Sequence, residues 1–174
     1  MKREPRASRV ERAFYALAFR AENDPRARAV LIALVNASFR AIAFERKLGG
    51  TRLFDYAKRA AVRFGRWRAP ELAKRLGLDA RSMADLGRLQ DWEDRVFGVT
   101  GRWTERTPTR ATKCETACPF AKAASEAPEL CTDVIHALEE ATFRELNPTY
   151  RLVPLTRLLS KGDSHCEFVH RIEG

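Results

Sequence analysis

Four cysteines offer most of the reactive chemistry in this sequence, and all lie in its C-terminal half: Cys114, Cys118, Cys131 and Cys166. A cysteine becomes a nucleophile when a nearby base or positive charge stabilises its thiolate, and a histidine base needs a carboxylate to fix its tautomer. A buried cysteine also serves simply as a small hydrophobic residue. The clustering therefore directs attention to acids and bases that share a face with these thiols.

Two predicted elements bring a cysteine onto the same face as an acid or a base. In the helix predicted after Pro128, Cys131 and Glu139 fall on one stripe at helical spacing. In the last predicted strand, Cys166 and His170 point to the same side because side chains alternate. The candidate catalytic residues are therefore Cys131, Cys166, His170 and Glu139. Because the predicted hairpin must cover the helix, we expect the thiols of Cys131 and Cys166 to line one cavity.

The same cysteines also allow a metal site. Four thiols are the right number for tetrahedral zinc or an iron–sulfur cluster, and the candidate ligands are Cys114, Cys118, Cys131 and Cys166. Their spacing matches none of the familiar paired-cysteine motifs. A mixed site of Cys131, Cys166 and a nearby histidine or glutamate is an equal alternative. The sequence leaves open whether there is a cofactor and whether it would be zinc or an iron–sulfur cluster.

The elements that must position these residues change character at Gly98. Before it, capping residues and helical periodicity predict helices that begin after Ser8, after Asp24, after Thr51, at Pro70 and at Asp79. After it, residues rich in Thr, Val and aromatic side chains predict strands at 99–105, 109–115, 150–159 and 165–172, with a helix at about 129–146. The last two strands are predicted to join through a hairpin at 160–163.

This pattern predicts an α+β fold. A helical region, 1–97, packs with a C-terminal antiparallel sheet of about four strands crossed by a helix, 98–174, and the two form one structural unit. With 174 residues, 45% hydrophobic and 32% charged, the chain has the composition of a folded globular protein. The net charge of +9 is concentrated in residues 1–78. Nucleic acid is still not favoured as a partner, because the arginines are scattered over every helix face without a DNA-binding motif.

The most apolar stretch is predicted to be a buried helix. Residues 29–44 are interrupted by Asn36, Ser38 and Arg40, which argues against a membrane span. The N-terminal residues show no secretory signal, so we expect a cytoplasmic protein without a membrane partner. The oligomeric state is left open.

A family resemblance rests on motifs of the C-terminal half. They are Cys118-Pro119, Cys131, Asn147-Pro148 and Gly162-Asp163-x-x-Cys166-x-Phe168. In these residues the chain resembles the L-2-amino-thiazoline-4-carboxylic acid hydrolase-like family, over roughly residues 80 to 172. The Gly-Asp-x-x-Cys-x-Phe ending is also similar to small-molecule-binding domains of the four-vinyl reductase type, some of which hold zinc through cysteines.

The resemblance implies a hydrolase that acts on a C–N or C–S bond of a small heterocycle or amidine. Such chemistry needs attack on an amidine-like carbon, a carboxylate for the cationic nitrogen and a cation for the substrate carboxylate. Glu139 or Glu140 could supply the carboxylate, and Arg144 or Arg151 the cation. The expected partner is therefore a small-molecule substrate or ligand. The alternative is a non-catalytic module that binds a small molecule or a metal.

Overall fold

Four long helices form the N-terminal part of the protein. The computed structural model describes residues 8–79 and 81–173. The helices are α1 (Arg9–Ala21), α2 (Pro25–Lys47), α3 (Arg52–Leu76) and α4 (Met83–Phe97). Ser8 caps α1 by accepting a hydrogen bond from the Glu11 amide, and Asp24 caps α2 in the same way. These two predicted helix starts are confirmed.

The predicted break at Pro70 is wrong. Pro70 lies inside α3, which continues to Leu76 and ends at Gly77 with a φ of 60°. A proline inside a helix removes one backbone hydrogen bond. Packing against a C-terminal helix holds α3 together, because Gly65 lets the two backbones approach so closely that an added Cβ would lie 2.6 Å from the Leu138 carbonyl oxygen. The next helix, α4, is capped by Ser82 and not by Asp79.

Helix α2 is less buried than its sequence predicted. It buries Leu31, Phe39 and Ile42 against the rest of the protein, but only 28% of its most apolar 18 residues are buried, with a mean hydropathy of 1.6. By length and composition it is a helix that could cross a membrane, so the exclusion from sequence was too strong. Its exposed apolar side chains include Val30, Leu34 and Phe44, and the C-cap residue Leu48 is exposed as well.

The C-terminal part contains an antiparallel sheet in the order β1-β2-β4-β3. The strands are β1 (Thr100–Arg106), β2 (Arg110–Ala117), β3 (Tyr150–Leu152) and β4 (Cys166–Ile172). The predicted α+β class and four-stranded sheet are confirmed. The third strand is shorter than predicted, and the predicted hairpin at 160–163 is wrong. Pro154 has no N–H to extend the ladder, and the chain instead reaches β4 through a 3-10 turn, Leu159–Lys161, that ends at Gly162.

Between β2 and β3 the chain is helical. A short helix α5 (Ala121–Ala124) precedes a π-helical turn, Leu130–Ile135, which leads directly into α6 (His136–Leu146). The predicted helix at 129–146 is confirmed in extent, but its first turn is π-helical. Such turns are rare and frequently occur at functional sites.

The hydrophobic core joins both halves of the chain. The larger buried cluster combines Leu31 and Trp92 from the helical half with Phe143 and Phe168 from the C-terminal half. A smaller one lies between α2, α3 and the segment 123–134. Cys131 packs against both clusters, so the π turn sits where they meet.

Candidate functional site

The inner face of the sheet positions the first part of the candidate site. In β2, Glu115 is buried and alternates with the half-buried Cys114. In β4, Cys166, Phe168 and His170 are buried, which agrees with the face predicted from alternation. The β2–β4 register places Glu115 directly opposite Cys166. A carboxyl group and a thiol therefore lie side by side under the helices.

The segment between β3 and β4 connects two of the thiols. The Leu159 amide donates to Sγ of Cys166 at 3.4 Å, and the Ser160 hydroxyl donates to Sγ of Cys131 at 3.6 Å. Consecutive residues of the 3-10 turn thus contact the strand thiol and the π-turn thiol. Cys131 and Cys166 therefore contact the same turn, and that they line one cavity stays a prediction.

Three buried carboxyl groups interact electrostatically with these thiols or with one another, and we call the whole set the acid–thiol cluster. Its members are Glu93, Glu115, Glu139, Cys118, Cys131 and Cys166. The charges of Glu115 and Glu139 act on both Cys131 and Cys166. Cys118 and Cys131 are half-buried, whereas Cys166 is buried.

Burial controls the charge state of the acids. It raises the pKa of Glu139 well above the usual value, and the nearby Glu93 and Glu115 add to the effect. It also raises the pKa of Glu115 to about 8, with a contribution from Asp94. The pKa of Glu93 is raised by burial, and this is opposed by Arg68, whose Nη2 lies 2.5 Å from Oε1 of Glu93.

The acids outnumber the cations available to pair with them. Lys113 is already engaged by Asp91 at 2.7 Å and by Asp94 at 2.5 Å. Within residues 8–79 and 81–173, Oε2 of Glu93 and Oε2 of Glu139 have no hydrogen-bond partner. Buried polar atoms are normally paired, so these two free carboxyl oxygens indicate an interaction that the protein alone does not complete.

Burial also keeps the thiols protonated. It raises the pKa of Cys118 and that of Cys166 to about 12, and raises the pKa of Cys131 as well. A thiol with a raised pKa carries little thiolate at neutral pH. A raised thiol pKa does not favour the nucleophilic role predicted for Cys131 and Cys166.

Thiol alkylation should distinguish Cys118, whose pKa is raised, from Cys114, which lies outside the acid–thiol cluster. We expect iodoacetamide at pH 8, in metal-free buffer, to modify Cys114 well before Cys118, since a rise from 9.0 to about 12 lowers the Cys118 thiolate fraction roughly a thousandfold. Peptide mass mapping over time gives the two rates. The same reaction in urea is the control and should bring the rates together. Equal rates in the folded protein would contradict the burial that raises the pKa of Cys118.

The predicted pairing of Cys166 with His170 is wrong in distance. The two share a face, but four residues of a strand span ~13 Å, whereas a base must lie within about 3 Å of its nucleophile. His170 Nδ1 lies 2.8 Å from the Tyr150 hydroxyl, and the ring packs against Phe143 and Trp103. Burial lowers the pKa of His170 to about 3. It is a neutral core histidine.

The four-thiolate metal site is also contradicted. Cys114 pairs in register with Glu167, whereas Cys166 pairs with Glu115, so Cys114 and Cys166 point to opposite faces of the sheet. Nor does the described part of the chain bring Cys131 and Cys166 within ligand distance of a common His or Glu. Within the described residues, the three possible metal ligands that do lie at this spacing include Cys114 but neither Cys131 nor Cys166.

The predicted substrate-binding residues form surface ion pairs. Glu140 Oε1 lies 3.8 Å from Nη1 of Arg144, and Arg151 Nη2 lies 3.2 Å from Oε2 of Glu173. The structure thus brings Glu139 to the acid–thiol cluster but does not bring its neighbour Glu140 or the two arginines there.

Sequence reasoning missed Glu93, Glu115 and Arg68. Alternation in β2 could have placed Glu115 on the face opposite Cys114, but nothing local indicates which face is buried. Arg68 and Glu93 are 3% and 6% exposed and lie on two different helices, so their pairing depends on how α3 and α4 pack.

Comparison with known proteins gives one fold relationship. No protein-family profile and no curated protein matches the sequence. Among solved structures, the chain is similar to a trafficking protein particle complex subunit 3 from Naegleria fowleri, whose structure was determined covalently bound to palmitic acid. The TM-score is 0.62 at 11% sequence identity, covering 84% of this chain and 97% of that one. The chain therefore has the fold of that trafficking subunit.

Proposed function

We propose that this protein is a small-molecule-binding domain whose ligand is an organic cation of the amidinium class held by the acid–thiol cluster. The observation that carries the proposal is the pair of unpartnered carboxyl oxygens, on Glu93 and on Glu139, two buried acids whose charges act on one another. An amidinium or guanidinium presents several N–H donors in one plane, and carboxylates accept such donors in pairs. The ligand would supply the missing hydrogen bonds.

The charge balance favours a cation over a neutral or anionic ligand. Arg68 is the cation paired with Glu93, and Lys113 is committed to Asp91 and Asp94. Deprotonating Glu139 in the free protein is costly because burial raises its pKa. A bound cation offsets this cost and lowers that pKa, so binding should release a proton from the cluster.

Calorimetry tests the proposal by detecting the proton that ligand binding should release. The purified protein is titrated with 2-amino-thiazoline-4-carboxylate and with benzamidine in two buffers of different ionisation enthalpy. We expect binding with a buffer-dependent heat that corresponds to proton release. Glu139→Gln keeps the side-chain shape but removes the ionisable group, and it should abolish the proton release and weaken binding at least about tenfold.

Glu140→Gln is the matched control. It removes a neighbouring carboxylate on the same helix, which is half-buried and paired with Arg144. Binding and proton release should be unchanged in this variant. Equal losses in both variants, or no binding of any amidine to the wild type, would contradict the proposal.

Hydrolysis of such a ligand is the second candidate function. It is supported by the resemblance to the aminothiazoline hydrolases and by the placement of carboxyl groups beside the predicted ligand site. Because the thiols are protonated, the nucleophile in this scheme is water. Water adds to the amidinium carbon, and the ring C–N or C–S bond breaks while the leaving nitrogen or sulfur takes a proton from a carboxyl group.

Product analysis separates the enzyme from the binding module. Turnover of 2-amino-thiazoline-4-carboxylate would give an open-chain product with the mass of the substrate plus one water, and Glu139→Gln should reduce its rate by roughly a hundredfold or more. Binding of the same compound without any product identifies a non-catalytic domain.

A covalently attached acyl chain, as named for the trafficking subunit, is a different occupant of a fold of this kind. Here both apolar side chains and the carboxyl groups of Glu115 and Glu139 lie near Cys131 and Cys166, and the carboxyl groups disfavour a hydrocarbon chain at these thiols. The intact mass of the freshly purified protein shows whether an acyl chain is covalently attached, and we expect the mass of the unmodified chain.

A further inference from the structure

The outer face of the sheet carries a second cluster of reactive side chains, on the side opposite the acid–thiol cluster. Cys114 lies in β2, Glu167 is its direct register partner in β4, and His165 comes just before that strand. The sulfur, one ring nitrogen and one carboxylate oxygen all lie within 4.8 Å of one another. We propose that these three residues bind a zinc ion.

The geometry and the donor set both suit zinc. Zn–S, Zn–N and Zn–O bonds of about 2.0–2.3 Å in a tetrahedron place neighbouring ligand atoms about 3–4 Å apart, so small rotamer changes would close the site. A thiolate, an imidazole and a carboxylate together suit zinc better than magnesium or calcium, which prefer oxygen. Three protein ligands leave the fourth position to water or to an exogenous ligand.

Neighbouring residues hold the proposed zinc ligands in place. The two strands fix the Cys114 and Glu167 backbones through the antiparallel ladder. The Ser164 hydroxyl lies 2.9 Å from Nδ1 of His165, a contact that orients the ring. The Thr104 hydroxyl lies 4.0 Å from Sγ of Cys114. All three ligand residues are half-buried, which leaves the ion a path from solvent.

Charge also favours a divalent cation here. With Cys114 as thiolate and Glu167 as carboxylate, the ligand set would carry two negative charges and neutralise the ion. The site is independent of the proposed ligand-binding function, because Cys114 faces away from Cys166. A zinc ion there would tie the start of β4 to β2 and stabilise the sheet.

Cobalt substitution provides the test. The whole chain, reduced and freed of metal, is titrated with Co²⁺ alone. We expect one equivalent to produce a thiolate-to-cobalt charge-transfer band and tetrahedral visible bands, and Zn²⁺ to displace it and raise the melting temperature. Cys114→Ser should remove the charge-transfer band. His165→Ala and Glu167→Gln should each weaken Co²⁺ binding by at least about tenfold.

Cys118→Ser is the matched control, because it removes a thiol on which Glu115, Cys131 and Cys166 act, outside the proposed zinc ligands, and it should leave the spectrum intact. The melting temperature of each metal-free variant shows whether it is folded; His165 precedes the strand, so its alanine variant tests the site even if a strand variant is unstable. A band that survives in Cys114→Ser, or a reduced wild type that binds no Co²⁺, overturns the proposal.

Discussion

Replacement of Arg68 by methionine should destabilise the protein by about 3–5 kcal/mol, because it leaves a carboxylate without its partner in the interior. Arg68 is 3% exposed, pairs with Glu93 at 2.5 Å and donates from Nε to the Thr142 hydroxyl at 3.0 Å. Urea unfolding at pH 7 measures the loss.

Arg63→Met, on the same helix, is the control for that substitution. Arg63 pairs with Glu11 at 2.6 Å, but its side chain is 43% exposed, so its loss should cost less than about 1 kcal/mol. The double variant Arg68→Met/Glu93→Leu should recover much of the stability, since it removes both buried charges. Similar losses in Arg68→Met and Arg63→Met would show that the interior pair is not buried in solution.

Glu139→Gln should become progressively more stable than the wild type as the pH rises. A carboxyl group whose pKa is raised in the folded state contributes stability below its unfolded pKa, near 4.5, and this is lost as the pH rises through the folded pKa. Burial is the main cause of the raised pKa of Glu139, so its ionisation opposes folding. Each pKa unit of difference corresponds to about 1.4 kcal/mol.

Urea unfolding of both proteins at pH 5 and pH 9 measures this linkage. Glu93 and Glu115 titrate in the same direction, so the readout is the difference between wild type and variant and not the wild-type profile alone. Glu140→Gln again serves as the control and should follow the wild type at both pH values. A pH-independent difference between Glu139→Gln and the wild type would mean that Glu139 is not buried as an uncharged acid.

The parts of the fold that could be predicted are those set by local signals. The caps at Ser8 and Asp24 satisfy amides within three residues, and the strand faces follow from alternation. The break at Pro70 could not be judged locally, because a lost hydrogen bond competes with packing of α3 on α6 through Gly65. A tertiary contact decides that competition.

The candidate site was predictable only in part for the same reason. Helical spacing predicted one side for Cys131 and Glu139, although the π turn between them decides where Cys131 points, and alternation gave Cys166 its inner face. Alternation predicts which face of a strand a side chain lies on, but not how far apart two side chains are. Cys166 and His170 therefore share a face but are too far apart to act as a nucleophile and its base. Glu93 and Arg68 belong to helices that meet only in the folded protein. The periodicity of neither segment therefore indicates that these two residues are buried.

The π-helical turn at Leu130–Ile135 makes the position of the Cys131 thiol depend on the number of residues in that turn. Such a turn is equivalent to one residue inserted into an α-helix. Deleting one residue there would let the helix run straight but would rotate Cys131 by about 100° relative to α6. The sulfur would then leave the Ser160 hydroxyl, now 3.6 Å away. A descendant of this sequence could therefore keep its cysteine and still lose the site through a single codon deletion.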